Sequence, residues 1–235
     1  MASLINPSQE TTRMIRIPLT LSLAAIALAL AACSSAPPAP KAPMSFFVTS
    51  ANPGKGGDLG GLEGADKYCQ QLAAAAGAGG KTWKAYLSSH PRHGGQIVNA
   101  RVRIGNGPWY NAQGVRVAAS VDDLHGPNNN LNKQTALTEK GEVVSGRGDP
   151  VNLHDILTGS TAEGRVDLAA EGDTTCGNWT SSNAGAATVG HHDRIGLNDS
   201  APMKSWNASH PTRNCTMDGF KATGGGGRFD CFASN

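Results

Sequence analysis

The apolar and polar positions of this 235-residue chain fall into a few short ordered stretches separated by turn formers. Phe46-Phe47-Val48, inside Ser45–Ser50, reads as an opening strand, and Asn52-Pro53-Gly54 breaks it. Ala65, Cys69, Leu72, Ala73 and Ala76 then recur at helical spacing, which predicts a helix over 62–76 with Cys69 on its buried face and Gly77 as its stop. Trp83, Ala85 and Leu87 alternate within 82–87 and predict a second strand. Val102–Ile104 and Val115–Ala118 read as short strands flanking the Gly105-Asn106-Gly107-Pro108 turn. Cys176–Thr180 reads as a strand, and Arg228–Ala233 as a last one after a four-glycine run. Two stretches, 125–131 and 144–170, show little periodicity and predict long ordered loops, which in a small domain tend to carry function.

The first 43 residues have a different character. Arg13 and Arg16 precede an apolar run, Ile17–Leu30, that is short for a membrane span. The run closes on Leu30-Ala31-Ala32-Cys33, the small-residue-then-cysteine pattern of a bacterial lipoprotein signal. Residues 1–32 are therefore expected to be a cleaved signal peptide, with Met14 as an alternative start, and Cys33 to carry a diacylglycerol and an acylated amine. Several acyl chains anchor stably where one does not. Ser34 after the lipidated cysteine points to the outer membrane as destination. Residues 33–43, rich in Pro, Ala and Ser, form a tether without a core, and 44–235 suit a single domain.

Charge and cysteines narrow the picture. Twenty Lys+Arg face 18 Asp+Glu, and 18 face 17 once Arg13, Arg16 and Glu10 are removed, with no basic run to hold nucleic acid. Thirty glycines and 13 prolines describe a loop-rich fold with short strands. Cys69, Cys176, Cys215 and Cys231 are an even set in an exported setting, none in C-x-x-C spacing, so two disulfides are expected rather than a thiolate metal site. Four cysteines allow three connectivities, and spacing does not choose among them.

One cysteine-bearing helix, a loop-rich middle and three late cysteines together resemble a C-type-lectin-like domain, and most closely the endostatin-like kind found in bacterial exported proteins. The resemblance rests on Ala65–Ala73, Trp83–Ser89, Gly146–Asp149, His154–Gly159, Cys176–Ser181, Gly190–Arg194, Ser205–Asn207 and Gly224–Ala233, in that order. It implies an α+β fold with one or two helices, short mixed strands and long loops, whose first and last strands pair. It also implies the disulfides Cys69–Cys231 and Cys176–Cys215. The calcium-and-sugar tripeptide of C-type lectins is absent, and Trp206-Asn207-Ala208 lacks the expected final carboxylate. The N-terminal histidines of endostatin's zinc site have no counterpart in Met44–Ser50.

Two clusters combine metal-ligand residue types: His154-Asp155 and His191-His192-Asp193. Neighbours on a strand point to opposite sides, so either His191 with Asp193, or His192 alone, can join His154 and Asp155 in a nitrogen/oxygen site. The competing expectation is an Asp193–Arg194 ion pair with the histidines bonded to backbone. Trp179 and Trp206 can stack on sugar rings or plug the core. No nucleophile elbow or His-Glu-x-x-His motif is present, and no catalytic residue is assigned. The expectation is a lipid-anchored envelope protein that recognises a glycan or envelope ligand without catalysis, through Trp179, His191, His192, Asp193, Trp206 and Asn207. Calcium or zinc is the candidate ion, neither firmly implied. The alternatives are an adhesive or structural protein working through protein contacts, and a metal-dependent hydrolase.

Overall fold

A computed structural model describes residues 43–234; the expected signal segment, Cys33 and all of the tether except Pro43 lie outside the described residues. The chain forms β1 (Phe46–Val48), α1 (Gly61–Ala75), β2 (Trp83–Ala85), α2 (Ala100–Arg103), β3 (Trp109–Tyr110), β4 (Arg116–Ala118) and α3 (Val121–His125). The second half adds β5 (Asp155–Leu157), α4 (Cys176–Trp179), β6 (Thr188–His191), β7 (His210–Pro211), α5 (Met217–Lys221) and β8 (Gly225–Ala233). This is a mixed α+β architecture with few helices, open sheets and two disulfides. Among the described residues no helix is long and apolar enough to cross a membrane.

Strand β8 organises the main sheet, whose order is β1-β8-β5-β6-β7 with β2 also paired to β8. Its last residues take β1 and β2 antiparallel, with Cys231 opposite both Phe47 and Ala85, so these two strands occupy opposite edges. Its first residues take β5 parallel, Leu157 opposite Phe229. Alternation along the strands divides the core. On one face Phe47, Trp83, Leu157, Val189 and Phe229 pack against Ala65, Cys69 and Ala73 of α1. On the other, Phe46, Val48, Ile156 and Phe232 meet Trp109, Val117, Leu124 and Trp206. β3 and β4 form a separate two-stranded sheet.

The disulfides join Cys69 to Cys231 and Cys176 to Cys215, the two pairs implied by the resemblance. The first ties α1 to β8 across 162 residues. In the chain-entropy model a loop of that length contributes about 5 kcal/mol. Two such bridges place folding in an oxidising compartment outside the cytoplasm.

Three expectations from periodicity change. Residues 102–104 are not a strand: Ala100–Arg103 is a helical turn, anchored where the Ala100 amide donates to Ser88 Oγ, and Val102 faces solvent. Cys176–Thr180 is not extended either. Cys176, Gly177, Asn178 and Trp179 all have φ between 48° and 66°, a left-handed turn costly for residues with a Cβ. Its geometry is held by the Asn178 side chain, which donates to His90 O (2.9 Å) and accepts from His90 N (2.7 Å), and by the Cys176 disulfide. Finally, 144–170 is not loop throughout, because Asp155–Leu157 forms the inner strand β5.

Candidate metal centre

Three adjacent strands bring one face together. Asp155 on β5 lies directly opposite His191 on β6, and His210 on β7 lies opposite Val189, which shares a face with His191. His154, the residue before β5, stacks its ring on that of His191 with centroids 4.1 Å apart and planes 11° from parallel. A glycine on each side makes room. A Cβ at Gly224, where φ is 110°, would lie 2.9 Å from His154 Nε2, and one at Gly190 would collide with Trp206 O. His154, Asp155 and His191 are at least 98% buried, whereas the His210 side chain keeps 26% of its exposure.

The donor atoms converge on one carboxylate oxygen. Asp155 Oδ1 lies 3.2 Å from His154 Nε2, 3.5 Å from His191 Nε2 and 3.5 Å from His210 Nε2. His191 Nε2 is 3.0 Å from His210 Nε2. The ligating atoms of His154, Asp155 and His191 all lie within 4.8 Å of one another. With metal–ligand bonds of about 2.0–2.1 Å, the edge of a tetrahedral zinc shell is about 3.3 Å. The four separations from 3.0 to 3.5 Å fit that edge.

The outer nitrogens settle which ring atoms are free. His191 Nδ1 lies 2.8 Å from Met203 O, His210 Nδ1 3.1 Å from Pro211 O, and His154 Nδ1 3.2 Å from Asp193 Oδ1. A carbonyl or carboxylate only accepts, so each Nδ1 carries a hydrogen, and an imidazole in its neutral form then presents a lone pair at Nε2. Lone pairs from two histidines then face each other beside a carboxylate that itself only accepts. Both Asp155 carboxylate oxygens are buried without a hydrogen bond from the protein. Such an arrangement could hold a cation among the four groups.

Burial pushes the His191 imidazole below its ordinary value, and the neighbouring His154 and His210 add to this against Asp155. His210 is moved the other way, chiefly by its contact with the Asp155 carboxylate. Asp193 is held at about 2. Burial opposes that ionisation, but the His154 ring and the amides of Arg147 and Ile195 outweigh it.

The residues expected from sequence separate into three groups. His154, Asp155 and His191 come together, with donor atoms within 4.8 Å of one another. Asp193 stands behind them, orienting His154, and does not pair with Arg194, whose guanidinium bonds Leu131 O and Asn129 Oδ1. His192 leaves the cluster: alternation turns it to the opposite side, where Nε2 meets Ser145 O at 3.3 Å and burial lowers its pKa to about 4. The expected stacking tryptophans are corrected to core residues. Trp179 is fully buried with Nε1 donating to Ser88 O (2.8 Å), and Trp206 is 4% exposed with Nε1 donating to Leu124 O (3.1 Å). Asn207 is likewise internal, its amide donating to Tyr86 Oη, Thr161 O and Ala162 O. His210 was not foreseen, because His-Pro after Asn207-Ala208-Ser209 looks like a turn with no ligand type beside it.

The cluster opens onto a cavity of about 470 Å³. Arg147, Leu197, Met203, Pro211 and the three imidazoles line it, while Asp155 approaches from behind. No protein-family model and no curated protein matches this chain, so the site is read from its own geometry.

Proposed function

We propose that this chain is an exported, lipid-tethered envelope protein whose C-type-lectin-like domain binds a divalent transition-metal ion of the zinc class through His154, His191, His210 and Asp155. One observation carries the reading: three Nε2 lone pairs, each fixed by an engaged Nδ1, converge on a buried carboxylate oxygen that accepts no hydrogen bond. Imidazole-rich donor sets suit zinc and its neighbours, whereas calcium prefers six to eight oxygens. The pairing of β1 with β8 and the two disulfide positions support the C-type-lectin-like reading of the fold. The lipobox ending at Cys33 supports the tether to the outer membrane. The reading is one of binding and assigns no catalytic residue.

The test uses the full chain in detergent, purified without a histidine tag and stripped with a chelator. Zinc at 100 times its Kd is expected to stabilise the fold by about 2.7 kcal/mol in thermal unfolding. Calcium is expected to leave it unchanged, and His191→Gln to abolish the zinc shift. An equal calcium response, or no zinc response, overturns the metal assignment. In the same preparations Cys33→Ser should move the chain into the aqueous phase on detergent partitioning; retention in the detergent phase overturns the tether.

A further inference from the structure

We propose that the open face of this centre binds the carboxylate of a small organic acid with an apolar body, with Arg147 as the second anchor of that carboxylate. The inference rests on the metal reading above. Its geometry begins with the direction of the cluster. Asp155 closes the centre from inside, and the three imidazoles line the cavity, so the uncovered side of a bound ion looks into that space. Zinc can expand from four donors to five, and the partly exposed His210 side of the cluster, facing the cavity, is where a fifth donor enters.

The walls specify the chemistry of the fifth donor. Arg147 is exposed at the rim, and its guanidinium has no ion pair among the described residues. Its backbone amide donates to Asp193 Oδ2 at 2.7 Å, while Asp193 Oδ1 meets His154 Nδ1. The same carboxylate thus holds both the ligand His154 and the loop that presents Arg147. The lining contains no acidic side chain, and a dication with a guanidinium outweighs the carboxylates of Asp155 and Asp193 behind it, so the cavity keeps an excess of positive charge. A carboxylate answers both centres at once, one oxygen to the metal and one to the fork of Arg147. The rest of the wall is Leu197, Met203, Pro211 and Ala222, apolar side chains that suit an apolar substituent, and Leu197 is 78% exposed. A volume of about 470 Å³ accommodates a ligand of that size.

Cobalt makes the test independent of any activity. The full chain in detergent is loaded with cobalt(II), and its visible d–d bands are followed while benzoate, benzamide and glucuronate are added in turn. Benzoate is expected to shift the bands saturably. Benzamide, the uncharged counterpart, should leave them in place, and glucuronate, with the same charge on a polar body, should bind at least tenfold more weakly. Arg147→Met should weaken benzoate about tenfold, as loss of a charge-assisted contact does, while cobalt affinity stays within twofold. Bands insensitive to benzoate, an equal response to benzamide, glucuronate binding as tight as benzoate, or an Arg147→Met chain with unchanged benzoate affinity each overturn the proposal. Absence of any cobalt spectrum overturns the metal reading itself, and this inference with it.

Discussion

The two ends of the main sheet bury polar groups by opposite means. At the β1–β8–β2 end, Asp230 is 97% buried on the same face as Phe232, and its Oδ1 has no hydrogen-bond partner. Burial alone raises its pKa to about 8, so at neutral pH the chain keeps it uncharged rather than paired. At the β5–β6–β7 end, Asp193 sits among a histidine ring and two amides and stays ionised. The first end is fastened by aromatic packing and a covalent bridge. The second is fastened by a polar network of histidines and carboxylates. A carboxylate's fate inside this protein therefore depends on the donors that surround it as well as on burial.

The comparison predicts that removing the bridge costs most. Cys69→Ser with Cys231→Ser is expected to lower stability by about 5 kcal/mol in urea unfolding. The same loss should appear with and without zinc, since the bridge lies at the other end of the sheet; a loss confined to zinc-free protein would break the division. Asp230→Asn tests the uncharged carboxyl next. A folded pKa above the unfolded one means stability is full below about pH 4 and falls as pH rises towards 8, by about 1.4 kcal/mol per pH unit. The asparagine variant should lose that slope and gain stability at pH 8, and an unchanged profile would show that Asp230 is ionised in the fold. Asp193→Asn has the smallest effect on stability and acts on the other end. It is expected to weaken zinc 10- to 100-fold by isothermal titration, as loss of an outer partner does. Unaltered affinity would remove Asp193 from the support of His154.

Much of the fold was legible where burial follows a period. The spacing of Ala65, Cys69 and Ala73 located α1, and the apolar ends located β1, β2 and β8 to within a few residues. β5 was hidden because three inward residues, Asp155–Leu157, have no room for alternation to show, and one of them is acidic. The left-handed turn at 176–179 was hidden for a different reason: only tertiary bonds from His90 and a disulfide make it tenable for Cys176 and Trp179. The site was half legible. His154, Asp155 and His191 stood out as adjacent ligand types, and strand alternation correctly set His191 apart from His192. His210 carried no local signal, since its role follows from β7 lying beside β6.

Strand β8 has a bearing on how the molecule is assembled. Each of its partners, β1, β2 and β5, precedes it in the chain, and Cys69 waits 162 residues for Cys231. A chain that crosses a membrane from its N-terminus delivers the helix, His154, His191 and His210, and three of the domain's four cysteines before the strand that organises them. Until residues 225–233 arrive, Cys69, Cys176 and Cys215 are together without Cys231, and the Cys176–Cys215 bridge can close first. Long-range closure of this kind is slow, and the main sheet is complete only once the last strand has arrived.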